Sequence, residues 1–192
     1  SADVMLLAAV ELRAHGHAAA ADTALAQARD WLAARPSADA ASEAHRYRVA
    51  LVSYMTGRLD DAQREFERLA RGATGRGAAG RSDSLAAAAV SGDGWDEMDY
   101  PGYLGAIAAR QGNREQALRV DRTMAGVKRP YVFGRHTVWR ARIQALLGEQ
   151  QAAVALLREA FGQGYPHGHT LHIDLAFESL RSNKLRAGLT ML

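Results

Sequence analysis

Apolar side chains return every three to four residues along most of this 192-residue chain, with polar residues between them. That spacing gathers the apolar residues on one stripe of a helix. Strict apolar–polar alternation, the mark of a half-buried strand, does not occur. The pattern predicts helices over 3–15, 18–34, 40–56 and 59–71, then over 100–111, 114–126, 132–147 and 150–162. Between the two sets lies a glycine-rich break at 72–82 and a short alanine helix over 83–90. A loop containing Pro166 leads to short helices over 174–181 and 184–190. The fold class predicted is all-α.

The stripes share a register. Aligned on Gly16, Gly57, Gly112 and Gly148, the chain places alanine five residues on, at Ala21, Ala62, Ala117 and Ala153. Leu25, Phe66, Asp121 and Leu157 follow at nine, and Ala28, Leu69, Met124 and Ala160 at twelve. These three positions are i, i+4 and i+7, one buried stripe on the second helix of each unit. Each glycine ends a first helix, and each small alanine lets the second helix cross closely. The unit predicted is an antiparallel helical hairpin, repeated at separations of 41 (16 to 57), 55 (57 to 112) and 36 (112 to 148) residues. Asp121 departs from the pattern. It predicts a rotated or looser helix whose buried face is covered by Val120 and Met124.

Glycine, then alanine, a large apolar residue and alanine at these offsets resembles the tetratricopeptide repeat, a helical hairpin of about 34 residues. Leu104-Gly105 falls where that family has its Leu-Gly pair, and Pro36 falls near its closing proline. The C-terminal stretch resembles the closing segment of such repeats in bacterial signalling proteins. The matching positions are Leu171, His172, Asp174, Phe177, Leu180 and Arg181. The resemblance implies an α-solenoid of about four hairpins with short capping helices at the C-terminus. It also implies one piece of a larger serine/threonine kinase, cyclase or transcription regulator. The organisation expected is one continuous repeat domain. Two hairpins occupy 1–71, a flexible linker with a short helix 72–99, and two hairpins with a terminal cap 100–192.

Composition narrows the function classes. With 48% hydrophobic and 23% charged residues, the chain has the balance of a folded globular protein. Abundant alanine with 7% aromatics favours close helix packing. The net charge of +3 is too small to imply nucleic acid, which a concentrated basic face would signal. The absence of cysteine excludes disulfides, thiolate metal sites and thiol catalysis. No apolar run reaches membrane-spanning length, and SADVMLLAAVELRAHG reads as an amphipathic helix rather than a signal peptide. A cytoplasmic setting is expected.

GRGAAGRS, Gly75 to Ser82, matches both a P-loop with Arg81 for lysine and a G-x-G-x-x-G fingerprint. A phosphate loop needs a strand before it, and the residues preceding Gly75 have a helical pattern. The linker reading is preferred. His167, His169 and His172 have metal-ligand chemistry but no convincing fourth ligand, so a surface loop is preferred. Asp93, Asp96, Glu97 and Asp99 lack the calcium-loop spacing and suit the start of a helix. Ser82, Ser84 and Ser91 belong to no nucleophile motif. No catalytic residue, metal ligand or cofactor is assigned, and the protein is read as a non-enzyme.

If hairpins stack, first helices line a concave face. The repeat register then nominates Arg13, Tyr47, Leu51, Tyr54, Arg110 and Arg142 as a partner-binding groove, with packing between first helices as the competing reading. The Lys and Asn pattern of the family's carboxylate clamp is not visible. The expected function is docking of a peptide or partner domain in that groove, in a bacterial signalling or regulatory context. A small-molecule sensor controlling an attached effector is the alternative.

Overall fold

A computed structural model describes residues 1–79, 96–128 and 133–165. Among the described residues all regular structure is helical. The helices are α1 (Ala2–Ala14), α2 (Ala18–Ala33), α3 (Glu43–Met55) and α4 (Leu59–Ala79), then α5 (Asp96–Arg110), α6 (Arg114–Ala125), α7 (Arg135–Leu146) and α8 (Gln150–Gly162). A single helical turn, Ser37–Ala40, links α2 to α3.

Four hairpins, α1–α2, α3–α4, α5–α6 and α7–α8, close on the four aligned glycines. Their φ angles are 83°, 79°, 80° and 87° at Gly16, Gly57, Gly112 and Gly148. A side chain there would meet the steric cost of left-handed backbone. Each turn closes the same way. The glycine N–H returns to the carbonyl three residues back, and the next N–H to the carbonyl five back, as in Gly16 to Arg13 and His17 to Leu12. This satisfies two carbonyls that a helix end leaves orphaned. Side-chain caps start two of the helices: Ser42 accepts from the His45 N–H for α3, and Asn113 from the Gln116 N–H for α6.

All twelve register positions are buried. Asp121 is among them, so α6 is not rotated away. Its carboxylate sits 3.4 Å from the Arg140 guanidinium of α7, which supplies a partner where an apolar contact was missing. Val120 and Met124 do pack against the core beside it.

Packing follows chain order. Beyond the hairpin pairs, α2 packs on α3, α4 on α5 and α6 on α7, while α1 touches α3 and α5 touches α7. Glycine makes the α5–α7 contact close. A Cβ at Gly102 would lie 2.2–2.5 Å from the Trp139 ring, and one at Gly105 would lie 2.6 Å from Ile143 Cδ1.

Four boundaries depart from the sequence reading, the first being the start of α3, at Glu43 rather than 40. Helix α4 continues to Ala79 rather than ending at 71. Helical glycine costs about 1 kcal/mol without forbidding the helix. Gly75–Ala79 is therefore helical, not a loop that follows a strand. Helix α5 begins at Asp96, not 100, and carries Pro101 inside it, at the loss of one backbone hydrogen bond. Helix α7 begins at Arg135 rather than 132, after Phe133 and Gly134 in left-handed conformation. The expected helices at 83–90, 174–181 and 184–190 lie outside the described residues.

Candidate functional site

The first helices α3, α5 and α7, with Phe66 of α4, bring six aromatic rings together. Tyr47 and Tyr54 stand two turns apart on α3, Tyr100 and Tyr103 one turn apart on α5, and Trp139 comes from α7. Phe66 and Tyr103 stack with centroids 4.5 Å apart and planes 6° apart. Trp139 meets Tyr103 edge-on at 4.5 Å, and Tyr54 meets it at 5.4 Å. Edge-to-face and offset geometry suits the ring quadrupoles. Burial pushes the Tyr103 hydroxyl up to about 12 against the nearby Arg142 charge, and it raises Tyr47 in the same direction.

Charge enters this seam at both ends. Asp99, buried in the first turn of α5, accepts 2.8 Å hydrogen bonds from Arg135 Nε and Trp139 Nε1. Its other oxygen pairs with Arg135 Nη2. Burial opposes the charge of Arg135, but the hydrogen bond and charge of Asp99 outweigh it and raise its proton affinity. At the other end Arg142 is 1% exposed. Its guanidinium carbon lies 4.8 Å from the Trp139 ring, 5.0 Å from Tyr54 and 5.2 Å from Tyr103. The Tyr54 and Tyr103 hydroxyls are near enough to raise its proton affinity against burial, though neither meets the distance and angle of a full hydrogen bond to its three nitrogens.

Four of the six nominated groove residues are covered by packing rather than set on an open face. Leu51, Tyr54 and Arg142 are buried, and Tyr47 is half-buried among the rings. Packing between first helices has closed over them. Arg13 and Arg110 have a different job. Arg13 Nη1 donates to the Met55 carbonyl at 2.9 Å, and Arg110 Nη1 to the Tyr54 carbonyl at 2.8 Å. Two arginines from flanking hairpins thus cap the C-terminus of α3, where orphan carbonyls and the helix dipole favour cations. Arg110 also lies over the Tyr54 ring at 4.6 Å.

Open space lies elsewhere, between α2, α3 and α4. One cleft of about 380 Å³ has Leu32, Val49 and Val52 in its floor and Arg29, Arg58 and Arg64 around them. A second, of about 340 Å³, shares Arg29 and Arg58 with it and reaches Arg13. The lining carboxylates are already engaged: Asp22 by Arg13, Asp61 by Arg64 and Glu65 by Arg68. Arg58 reaches only hydroxyls, Thr56 Oγ1 at 3.3 Å and Ser53 Oγ at 3.4 Å, and pairs with no carboxylate among the described residues. These clefts leave no mark on the apolar pattern, because Arg58 is simply the residue after a turn glycine.

The acidic cluster resolves in part. Asp96 and Glu97 open α5 as expected, while Asp99 is the buried ion-pair partner, a role its spacing did not predict. Asp93, Trp95, the serines at 82, 84 and 91 and the histidines at 167, 169 and 172 lie outside the described residues. Among the described residues no group of three His, Asp or Glu side chains is placed to hold a metal ion, and no helix is long and apolar enough to cross a membrane. No family model matches the sequence, and no match is found among curated proteins or solved structures.

Proposed function

We propose that the chain is a non-enzymatic interaction module, a short solenoid of four hairpins like those of the tetratricopeptide repeat, which docks an acidic segment of a partner protein. The reading rests on the two adjoining clefts between α2, α3 and α4. They set an apolar floor under arginines, and Arg58 keeps a charge that no carboxylate of the described chain neutralises. An acidic, partly apolar segment complements such a surface. Preformed helices leave the ordering cost on the partner. This moves the binding surface from the first helices to the α2–α3–α4 face. The resemblance to signalling repeats favours a bacterial regulatory setting. The unpartnered Arg142 favours the second reading, a small-molecule sensor.

Fluorescence anisotropy with labelled peptides that alternate Glu and Leu tests the docking reading. Wild type should bind them, more weakly as salt rises, and R58E should lose roughly tenfold in affinity. Unchanged affinity in R58E would sink the assignment.

A further inference from the structure

The two clefts between α2, α3 and α4 share Arg29 and Arg58, so they join into one groove. On α2 its lining runs from Asp22 to Ala33, a span of about 16 Å at 1.5 Å per residue. Roughly five residues of extended peptide cover that length. The two ends of the groove differ. At one end Arg13 joins Arg29 and Arg58, and Asp22 is the one carboxylate in that lining among the described residues. Asp22 pairs with Arg13 and Asp30 with Arg29, but both carboxylates are 69% exposed, and surface pairs of this kind contribute little. At the other end Leu32, Ala33, Val49 and Val52 form an apolar stretch. Its carboxylates, Asp61 and Glu65, already hold Arg64 and Arg68. Arg58 stands at the junction, bonded to two hydroxyls and to no carboxylate among the described residues.

A bound segment has to suit both ends. Leucine laid over the arginine end would take cations out of water without supplying an anion. Glutamate laid over the apolar end would meet the like charges of Asp61 and Glu65 and cover no apolar surface. We propose that the groove recognises order as well as composition: the partner segment carries its acidic residues together at one end and its large apolar residues together at the other, with the boundary at Arg58. This rests on the docking reading above and refines it, since that reading requires only that both kinds of residue be present.

Three labelled hexapeptides of one composition test the ordering by fluorescence anisotropy: three Glu followed by three Leu, three Leu followed by three Glu, and the strict alternation of the two. At least one grouped peptide should bind wild type about tenfold tighter than the alternating one. Asp22→Asn removes the exposed carboxylate that competes for Arg13, so it should tighten that grouped peptide about threefold. Equal affinity for all three peptides, tightest binding of the alternating one, or unchanged or weaker binding in Asp22→Asn would each overturn the ordering and leave docking at Arg58 standing. Binding of none of the three, or R58E leaving all three affinities unchanged, would overturn both.

Discussion

Helix α7 carries two guanidiniums seven residues apart, Arg135 partly buried and Arg142 fully, facing the same neighbour, α5. Arg135 meets Asp99, and the carboxylate also takes the Trp139 indole N–H, so donors and acceptors match. Arg142 lies against the rings of Tyr54, Tyr103 and Trp139 and pairs with no carboxylate among the described residues. One end of the seam is thus fixed by polar bonds with defined directions. The other is held by ring packing and keeps a surplus charge. The contrast separates two uses of a buried arginine: the first sets how α5 and α7 sit together, and the second leaves chemistry unspent.

Breaking the satisfied end should give the largest effect. Asp99→Asn keeps the size but strands the Arg135 charge, and urea unfolding should show a loss of about 3–5 kcal/mol. R142M, at the opposite end, should move stability the other way, so the two variants together test whether the ends differ in kind. Next comes the close approach between them. Gly102→Ala would ordinarily gain about 1 kcal/mol of helix propensity. Here its methyl meets the Trp139 ring. A net loss of about 1–3 kcal/mol in the same assay is expected. A gain would show that the ring moves freely and that the seam is loose along its whole length. The smallest effects belong to the rim. Arg13→Gln and Arg110→Gln should each cost roughly 0.5–1 kcal/mol, read from thermal melts, because the first removes a donor from the Met55 carbonyl and the second leaves the Tyr54 carbonyl with the Gly57 N–H alone.

The hairpins were legible because their signal is local. A glycine at the turn, an alanine five residues later and a stripe at i, i+4, i+7 need only the chain's own neighbours to be understood. The glycine turns and all twelve register positions are found as that pattern implies, even at Asp121, where the partner Arg140 stands on another helix. What the sequence hid depends on partners far along the chain. Asp99 read as one of four acids at a helix start, and only the fold brings Arg135 and Trp139 to it. Tyr54 and Arg142 were nominated for a groove by the repeat register, and both side chains are buried. One signal was available in retrospect: Gly102 and Gly105 stand one turn apart on α5, as do Trp139 and Arg142 on α7. Small residues at that spacing mark where another helix comes close, and they put the large side chains inside rather than on a groove.

The paired arginine caps on α3 bear on how the chain comes apart. Fraying in a row of hairpins starts where neighbours are fewest. Helix α3 has its last turn held from both sides, by Arg13 of the hairpin before it and Arg110 of the hairpin after it. Losing the first flank takes the arginine from the Met55 carbonyl, and losing the second leaves the Tyr54 carbonyl with the Gly57 N–H alone. The last turn of α3 is therefore expected to open later than the ends of the row, which hydrogen exchange would read.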